Sequence, residues 1–237
     1  MKIRKRYLII ASIVTILSIV AFSVLFFHEG YDDKILSKLG LKSPEIKRNW
    51  TIVSWNSCLK QLNYDSDVAF FGDSITQGGD FRTYFPDTKI INLGCSGDDI
   101  VGMTQRVSML KNTSPEKVFI MVGINSLTNM NSTICLEAYS TLLTSVKKAV
   151  PKAEIYVQSV LPISEKKEKT LFCSNATIKK FNKEIKKLSE ENKMTYIDLY
   201  SVFAQNEQMN PNLSTDGLHL NSNGYEVWKD AITDYIN

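Results

Sequence analysis

The chain alternates between short apolar runs and longer segments whose apolar residues recur at every third or fourth position. The runs are rich in Val, Ile and Phe, and three of them stop at a glycine, which is typical of strands buried on both faces of a parallel sheet. We place the strands at residues 67–71, 89–93, 118–122, 155–161 and 195–199.

Helical periodicity fills the segments between these strands. Leu136, Tyr139 and Leu143 illustrate the pattern, and similar spacing recurs toward the C-terminus. We expect helices at 50–62, 98–110, 136–146, 178–188 and 225–235. Strands that alternate with helices predict a three-layer α/β/α fold around a five-stranded parallel sheet, in flavodoxin-like strand order.

The N-terminal segment has a different pattern from the rest. Residues 7–27 form a run of 21 residues without a charge, Gly or Pro, behind four basic residues. As a helix this run would span about 31 Å, which matches a bilayer hydrocarbon core of roughly 30 Å. We therefore predict a basic cytoplasmic stub and transmembrane signal anchor at 1–27, with the rest of the chain outside. A cleaved signal peptide, with Ala21-Phe22-Ser23 as the cleavage pattern, is the alternative and also exports the domain.

Beyond the anchor, residues 28–47 are charged and contain two glycines and a proline, so we interpret them as a stalk. Residues 48–237 are predicted to form the folded domain. Four of the 28 basic residues precede the apolar run, which leaves 24 basic against 25 acidic residues for the remainder of the chain, a net charge of −1. This balance, without a basic stripe, gives no indication of nucleic-acid binding.

The cysteines and histidines do not form the common metal or redox motifs. The cysteines lack C-x-x-C spacing, and export leaves their pairing open. They are Cys58, Cys95, Cys135 and Cys173. Of the two histidines, His28 lies at the predicted membrane edge, and His219 alone is too few for a common metal site. We therefore predict no metal ion and no cofactor.

Polar residues follow the predicted strands at one edge of the sheet. The segments are Gly72-Asp73-Ser74, Gly94-Cys95-Ser96-Gly97-Asp98, Gly123-Ile124-Asn125 and, after the last strand, Asp216-Gly217-Leu218-His219. Ligands of open α/β sheets bind beyond the carboxyl ends of the strands, so Ser74 at the first turn is well placed as a nucleophile. His219 is the candidate base, and Asp216 is close enough in sequence to orient it.

In order and spacing, these four segments resemble the SGNH, or GDSL-type, esterase and lipase family over nearly the whole exported domain. The resemblance implies that Ser74 is the nucleophile, His219 the base and Asp216 the residue that orients the histidine. It also implies an oxyanion hole formed by the backbone N–H groups of Ser74 and Gly97 and by the side-chain amide of Asn125.

The residue types suit these roles. Gly97 has no side chain to hinder the approach of its N–H to a substrate oxygen, and Asn125 can donate without carrying a charge. Gly94 is the rival for the glycine role, although a strand-end turn is the stronger explanation of this residue. Family members commonly carry Asp after the oxyanion asparagine, where this chain has Ser126, so the bracing of this loop is expected to differ.

Structural roles are expected for the other polar candidates. Asp73 is interpreted as a brace for its turn, and Asp98 and Asp99 as acids that favour a helix N-terminus. Arg82 is expected in a surface ion pair, with substrate contact as the alternative, and segment 164–170 as a solvated loop. The tryptophans are expected in the core, at Trp50, Trp55 and Trp228.

Together these observations predict an exported, membrane-anchored serine esterase that works through an acyl-enzyme at neutral or alkaline pH. The expected substrate is an acetyl or other short acyl group on carbohydrate. Lipase or lysophospholipase activity and acetyl transfer to envelope glycans are alternatives with the same residues. A non-catalytic glycan-binding module is the alternative from another class.

Overall fold

The computed structural model describes residues 64–168 and 173–236, together with the isolated positions Thr15, Ser18, Ser54 and Ser57. The chain separates into two units, Met1–Ile46 and Lys47–Asn237, and the fold below belongs to the second. Apart from the isolated positions, several predictions lie outside the described residues: the anchor at 7–27, the stalk at 28–47 and the helix at 50–62 with Trp50, Trp55 and Cys58. Within the described residues, no helix combines the length and apolar character needed to cross a membrane.

A five-stranded sheet forms the centre of the domain. Its strands are β1 (Val68–Gly72), β2 (Ile90–Asn92), β3 (Lys117–Met121), β4 (Glu154–Gln158) and β5 (Thr195–Ile197). They are arranged in the order β2-β1-β3-β4-β5, and all neighbours are parallel. This confirms the predicted parallel sheet and its strand order.

Helices and one small hairpin connect the strands. The helices are α1 (Ser74–Gln77), α2 (Phe81–Tyr84), α3 (Ile100–Gln105), α4 (Ser108–Thr113), α5 (Ile124–Asn129), α6 (Ser132–Ala149), α7 (Asn175–Glu191), α8 (Leu199–Phe203) and α9 (Ser222–Ile236). The hairpin pairs β6 (Ala204–Gln205) with β7 (Gln208–Met209).

Two apolar layers cover the sheet, one on each face. In β1, Ala69 and Phe71 face the layer of helices α3, α4, α6 and α7, whereas Val68 and Phe70 face the layer of α2, α8 and α9. All five residues of β1 are buried, as expected for a central strand with helices on both faces. Trp228 lies in the second layer with no exposed surface, in the core as predicted.

Strand β4 ends earlier than the apolar pattern indicates. Residues 160–163 remain buried, but side chains of α7 bind their backbone in place of a neighbouring strand. Asn182 receives a hydrogen bond from the N–H of Val160 and donates one to its carbonyl, and Asn175 does the same for Ile163. The predicted strand at 155–161 was therefore too long, because an apolar run does not reveal which groups pair with its backbone.

The predicted helix at 98–110 is divided into α3 and α4. The backbone leaves helical geometry at Arg106, whose side chain is buried with 1% exposure instead of facing solvent. The guanidinium binds the carboxylate of Asp98 and the backbone carbonyls of Leu93 and Gly72 at the edge of the sheet. A buried arginine inside an amphipathic pattern gives no periodic signal, so the break was not predicted.

Candidate active site

The turn after β1 presents Ser74 as the first residue of helix α1. Asp73 caps this helix, and its Oδ1 accepts a hydrogen bond from the backbone N–H of Ile75 at 3.0 Å. Only 2% of Asp73 is exposed, whereas Ser74 remains partly accessible. The turn thus buries the carboxyl group of Asp73 as a brace, as expected, and keeps Ser74 at the surface.

Three side chains from the two ends of the domain meet at this turn. The Oγ of Ser74 lies 3.1 Å from Nε2 of His219, and Nδ1 of His219 lies 2.7 Å from Oδ2 of Asp216. The serine and the histidine are separated by 145 positions in sequence. The fold therefore joins a hydroxyl, an imidazole and a carboxylate in one hydrogen-bonded chain. About half of the His219 and Asp216 side-chain surface is exposed, at 47% and 48%.

Asp216 is fixed by its own loop. Its Oδ1 accepts hydrogen bonds from the backbone N–H groups of Leu218 and His219, at 2.9 and 2.8 Å, and from the hydroxyl of Ser214. Burial raises the pKa of Asp216, but the hydrogen bonds from the His219 side chain and from these N–H groups outweigh burial and lower the pKa to about 2. An ionised carboxylate can only accept, so Nδ1 of His219 carries a proton, and in the neutral form of the imidazole Nε2 is then the acceptor for the Ser74 hydroxyl.

The loops after β2 and β3 bring Gly97 and Asn125 to the same edge. Gly97 is exposed in a turn with φ 76°, and Asn125 stands in the first turn of α5. The Nδ2 of Asn125 donates to the backbone carbonyl of Asp98 at 2.8 Å, which fixes the orientation of the amide. Gly94, the rival glycine, is buried, and its N–H already donates to Oδ1 of Asn92 at 2.8 Å. Gly97 is thus the glycine of this loop whose backbone reaches the surface.

Ser126 braces the loop in which this chain departs from the family pattern. Its side chain is fully buried, and its Oγ accepts a hydrogen bond from the N–H of Ile100 at 3.0 Å. The bond joins the start of α5 to the first turn of α3. Together with the bond from Asn125 to Asp98, it ties the loop after β3 to the loop after β2 at two points.

The adjacent acids Asp98 and Asp99 have different roles. Asp99 is the N-cap of α3, with Oδ1 accepting from the N–H of Gly102 at 2.7 Å, as expected. Asp98 was also predicted to favour the helix terminus, but its carboxylate instead forms a buried ion pair with Arg106, at 2.5 Å between Oδ2 and Nε. Both partners are 1% exposed. The prediction missed Arg106 because a lone arginine in a helical pattern is usually on the solvated face.

Arg82 differs from the sequence prediction, whereas the described part of segment 164–170 is a largely exposed loop, as predicted. Arg82 donates from Nε to the carbonyl of Ile90 at 3.0 Å, and no ion pair of this residue occurs among the described contacts. The loop is anchored at its start, where half-buried Ser164 donates from its N–H to the carbonyl of Gly217 at 2.8 Å. A side chain at Gly217, where φ is +91°, would place its Cβ 2.6 Å from that of Ser164. The loop after β4 therefore packs directly on the loop that carries Asp216 and His219.

Acidic and basic groups elsewhere in the described part of the chain do not suggest a metal centre. No group of three or more His, Cys, Asp or Glu residues in this part is placed to hold a metal ion. Cys95 and Cys135 are buried in the domain, and Cys173 is partly buried at its surface.

A serine, a histidine and a carboxylate thus lie in one hydrogen-bonded chain at the carboxyl edge of a parallel sheet, an arrangement suited to nucleophilic catalysis. Residues 70–227 match the model of the GDSL-like lipase/acylhydrolase family, and the chain belongs to that family. No curated protein sequence matches the chain significantly.

Several solved structures share this fold along most of their own length. A GDSL-like lipase from Bacteroides thetaiotaomicron has 22% identity and a TM-score of 0.68, over 78% of this chain and 96% of that one. An acetyl xylan esterase has 22% identity and a TM-score of 0.62, over 72% of this chain and 99% of that one. A carbohydrate esterase of family 3 from Talaromyces cellulolyticus has 19% identity and a TM-score of 0.57, over 71% and 95% of the two chains. At this level of identity, the similarity shows the fold alone.

Proposed function

We propose that this GDSL-family protein is a serine ester hydrolase that forms an acyl-enzyme and removes acetyl or other short acyl groups from carbohydrate. The observation that carries the proposal is the hydrogen-bonded chain from Ser74 through His219 to Asp216, at 3.1 and 2.7 Å. It supplies a nucleophile, a base for its proton and a carboxylate that holds the base in the required tautomer.

In the proposed reaction, Oγ of Ser74 attacks the ester carbonyl while Nε2 of His219 takes the hydroxyl proton. The imidazolium that forms is stabilised by the ionised carboxylate of Asp216, and it then protonates the departing alcohol. Water activated by the same histidine hydrolyses the acyl-enzyme. The N–H groups of Ser74 and Gly97 and the amide of Asn125 are the proposed donors to the oxyanion.

Exposure of the site favours a short acyl group on a large alcohol. Close to half of the His219 and Asp216 side-chain surface is accessible, and the neighbouring loop from β4 presents Ser164 and Lys167 rather than apolar side chains. A long acyl chain would need an enclosed apolar wall to cover it. A polymeric glycan can approach an open edge and deliver an acetyl ester without such a wall. Two structural neighbours carry the names of carbohydrate-acting esterases, but similarity to them is limited to the fold.

The proposed location is the outer side of a cell membrane, with residues 7–27 as a single-pass anchor and 28–47 as a stalk. The sequence pattern of four basic residues followed by 21 uncharged ones supports this part of the proposal. Cleavage of the same segment would instead secrete the domain. The proposed partners are a glycan ester and the lipid bilayer, and the reaction as written needs no cofactor and no nucleic acid.

Hydrolysis of p-nitrophenyl esters of increasing acyl length tests the proposal, with the full chain in mild detergent and Ser74→Ala as the control. We expect Ser74-dependent turnover that is fastest for acetyl and falls steeply beyond butyryl, together with release of acetate from acetylated polysaccharide. A maximum at eight carbons or more would indicate a lipase. Acetylation of an added sugar in preference to hydrolysis would indicate a transferase, and absence of any turnover a binding module.

A further inference from the structure

Arg106 is a buried, charged residue beside the site to which the proposed reaction gives no role. Its guanidinium lies 4.4 Å from the ring centroid of Phe71 and uses all three nitrogens on fixed acceptors. Nε pairs with the carboxylate of Asp98, one terminal nitrogen donates to the carbonyl of Leu93 at 2.6 Å, and the other to the carbonyl of Gly72 at 2.7 Å. A planar, rigid fork of donors suits such a three-way contact, which a lysine cannot reproduce.

Each of these three acceptors lies close in sequence, or is hydrogen-bonded, to a residue that carries a proposed oxyanion donor. Gly72 is the last residue of β1, two positions before Ser74. Leu93 and Asp98 bracket the loop that carries Gly97, and that loop is closed by a bond from the N–H of Asp98 to the carbonyl of Cys95 at 3.1 Å. The carbonyl of Asp98, whose side chain Arg106 holds, is in turn the acceptor for Nδ2 of Asn125.

We propose that Arg106, through its ion pair with Asp98, is the positioning residue that holds Gly97 and Asn125 at a fixed distance from the Ser74 turn. This inference rests on the proposed function, because it assigns Arg106 a role in that same oxyanion hole. Arg106 is buried and does not touch substrate, so it acts only through the groups it orients. Donors that are fixed before the reaction need no rearrangement as charge develops on the oxygen, and a shift of about 1 Å in such groups can lower turnover about 100-fold.

The matched pair for the test is Arg106→Lys and Arg82→Lys. Arg82 also donates to a backbone carbonyl, that of Ile90 at the start of β2, whereas the Leu93 carbonyl bound by Arg106 follows the end of that strand. Arg106→Lys is expected to lower kcat about 10- to 100-fold, after correction for the folded fraction, with little change in KM. Arg82→Lys is expected to change kcat less than about twofold.

A double-mutant cycle with Asn125→Ala separates positioning from a general loss of stability. Residues that act as one unit do not contribute independently. In the Asn125→Ala background, the loss of kcat caused by Arg106→Lys should therefore be at least about threefold smaller than in the wild-type background, and the loss that remains is the part that acts through Gly97. An equal loss in both backgrounds would show that Arg106 does not act through Asn125, and the inference would be wrong.

Hydrogen–deuterium exchange of the same full-length variants gives a readout that does not depend on activity. Arg106→Lys should raise exchange in peptides covering 94–100 and 123–129, and leave 214–221 unchanged. An equal rise in all three, or the same pattern in Arg82→Lys, would overturn the inference. If the wild-type chain hydrolyses no ester, the proposed function fails, whereas the exchange pattern still decides whether Arg106 holds the two loops.

Asp98→Asn provides the second variant if Arg106→Lys does not fold. The amide keeps an acceptor for Arg106 but loses the charge, and the backbone carbonyl that binds Asn125 is unaltered. We expect a smaller loss of kcat, about fivefold, with the same dependence on Asn125 and the same localised exchange. A wild-type kcat together with wild-type exchange in 94–100 would contradict the proposed ion-pair role.

Discussion

At the scale of single residues, Ser74, His219 and Asp216 form a hydrogen-bonded chain in which each group acts through its neighbour. Ser74→Ala and His219→Ala should each lower kcat roughly 10⁵- to 10⁶-fold, and the double variant hardly further, because both remove the same proton transfer. Asp216→Ala should lower kcat by a factor about ten times smaller, since the base itself remains. Steady-state kinetics on the acetyl ester measures these values.

A fluorophosphonate probe supplies the control for this prediction. It should label the wild-type chain at Ser74 and leave Ser74→Ala unlabelled, while the melting temperatures stay close to each other. Additive losses in the Ser74→Ala/His219→Ala variant, or labelling at another serine, would show that the proton takes a different route.

The second prediction at this scale concerns Asp73 and the stability of the folded domain. Burial raises the pKa of Asp73 to about 7. The hydrogen bond from the N–H of Ile75 lowers this pKa in part, and the neighbouring carboxylate of Asp98 raises it further. In the unfolded chain an aspartate titrates near 3.9. Between about pH 4 and 7 the folded protein therefore holds a proton that the unfolded chain has lost, so this group makes the free energy of unfolding fall as pH rises through that window.

Asp73→Asn removes this titration and keeps an acceptor for the N–H of Ile75. The free energy of unfolding of the variant, relative to wild type, should rise by a few kcal/mol, on the order of 3, between pH 4.5 and 7.5. Denaturant unfolding at the two pH values measures the difference, with exposed Asp87→Asn as the control for loss of one carboxylate. Wild-type and Asp73→Asn curves that stay parallel would show that Asp73 is not protonated in the folded domain.

At the scale of elements, the apolar pattern was sufficient to predict all five strands of the sheet, because strands that are buried on both faces consist almost entirely of apolar residues. It was insufficient where polar side chains replace regular backbone pairing. The end of β4 is set by Asn175 and Asn182, and the break between α3 and α4 coincides with Arg106. These three residues are ordinary in a helical pattern, and only their long-range partners reveal their roles.

The same distinction applies to the site. Ser74, His219, Asp216, Gly97 and Asn125 were proposed from motifs and a family resemblance, and the fold brings them to one edge. The supports behind them join groups far apart in sequence, such as the N–H of Ile100, which donates to Oγ of Ser126. Backbone donors and acceptors carry no sequence signature, so this bracing could not be predicted.

Asn182 provides an element-scale prediction. Asn182→Leu leaves the N–H and the carbonyl of Val160 without partners in a buried position, and an unsatisfied buried group costs about 1–3 kcal/mol. The free energy of unfolding should therefore fall by roughly 2–5 kcal/mol for the two groups together. Asn192→Ala is the matched control, because its amide binds a carbonyl near the partly exposed end of the same helix, and it should lose less than about 1 kcal/mol.

Denaturant unfolding measures both variants. Activity is the second readout, since Val160 begins the loop that docks at Ser164 against Gly217 beside the proposed base. A loss of stability no larger for Asn182→Leu than for Asn192→Ala would mean that the segment after β4 finds other partners.

At the scale of the whole molecule, the proposed anchor decides where the open site meets its substrate. Removing the apolar run of residues 7–27 from water should be favourable by tens of kcal/mol, at about 0.8 kcal/mol for each buried CH₂, so a single uncleaved run is enough to hold the chain in a bilayer. We expect the four basic residues before the run to oppose its complete translocation and to keep the N-terminus inside. The full chain should therefore sediment with membranes, resist extraction by alkaline carbonate, and have its catalytic domain accessible to protease added from outside.

A chain that begins at residue 28 serves as the control and should remain in the supernatant with unchanged turnover of a small acetyl ester. Its turnover of cell-associated acetylated glycan should be lower than that of the anchored chain, because the anchor raises the local concentration of the site at the envelope. N-terminal sequencing of the mature protein distinguishes the two modes of export. A mature N-terminus near Val24 would show that the segment is cleaved as a signal peptide, and the domain would then work as a secreted enzyme.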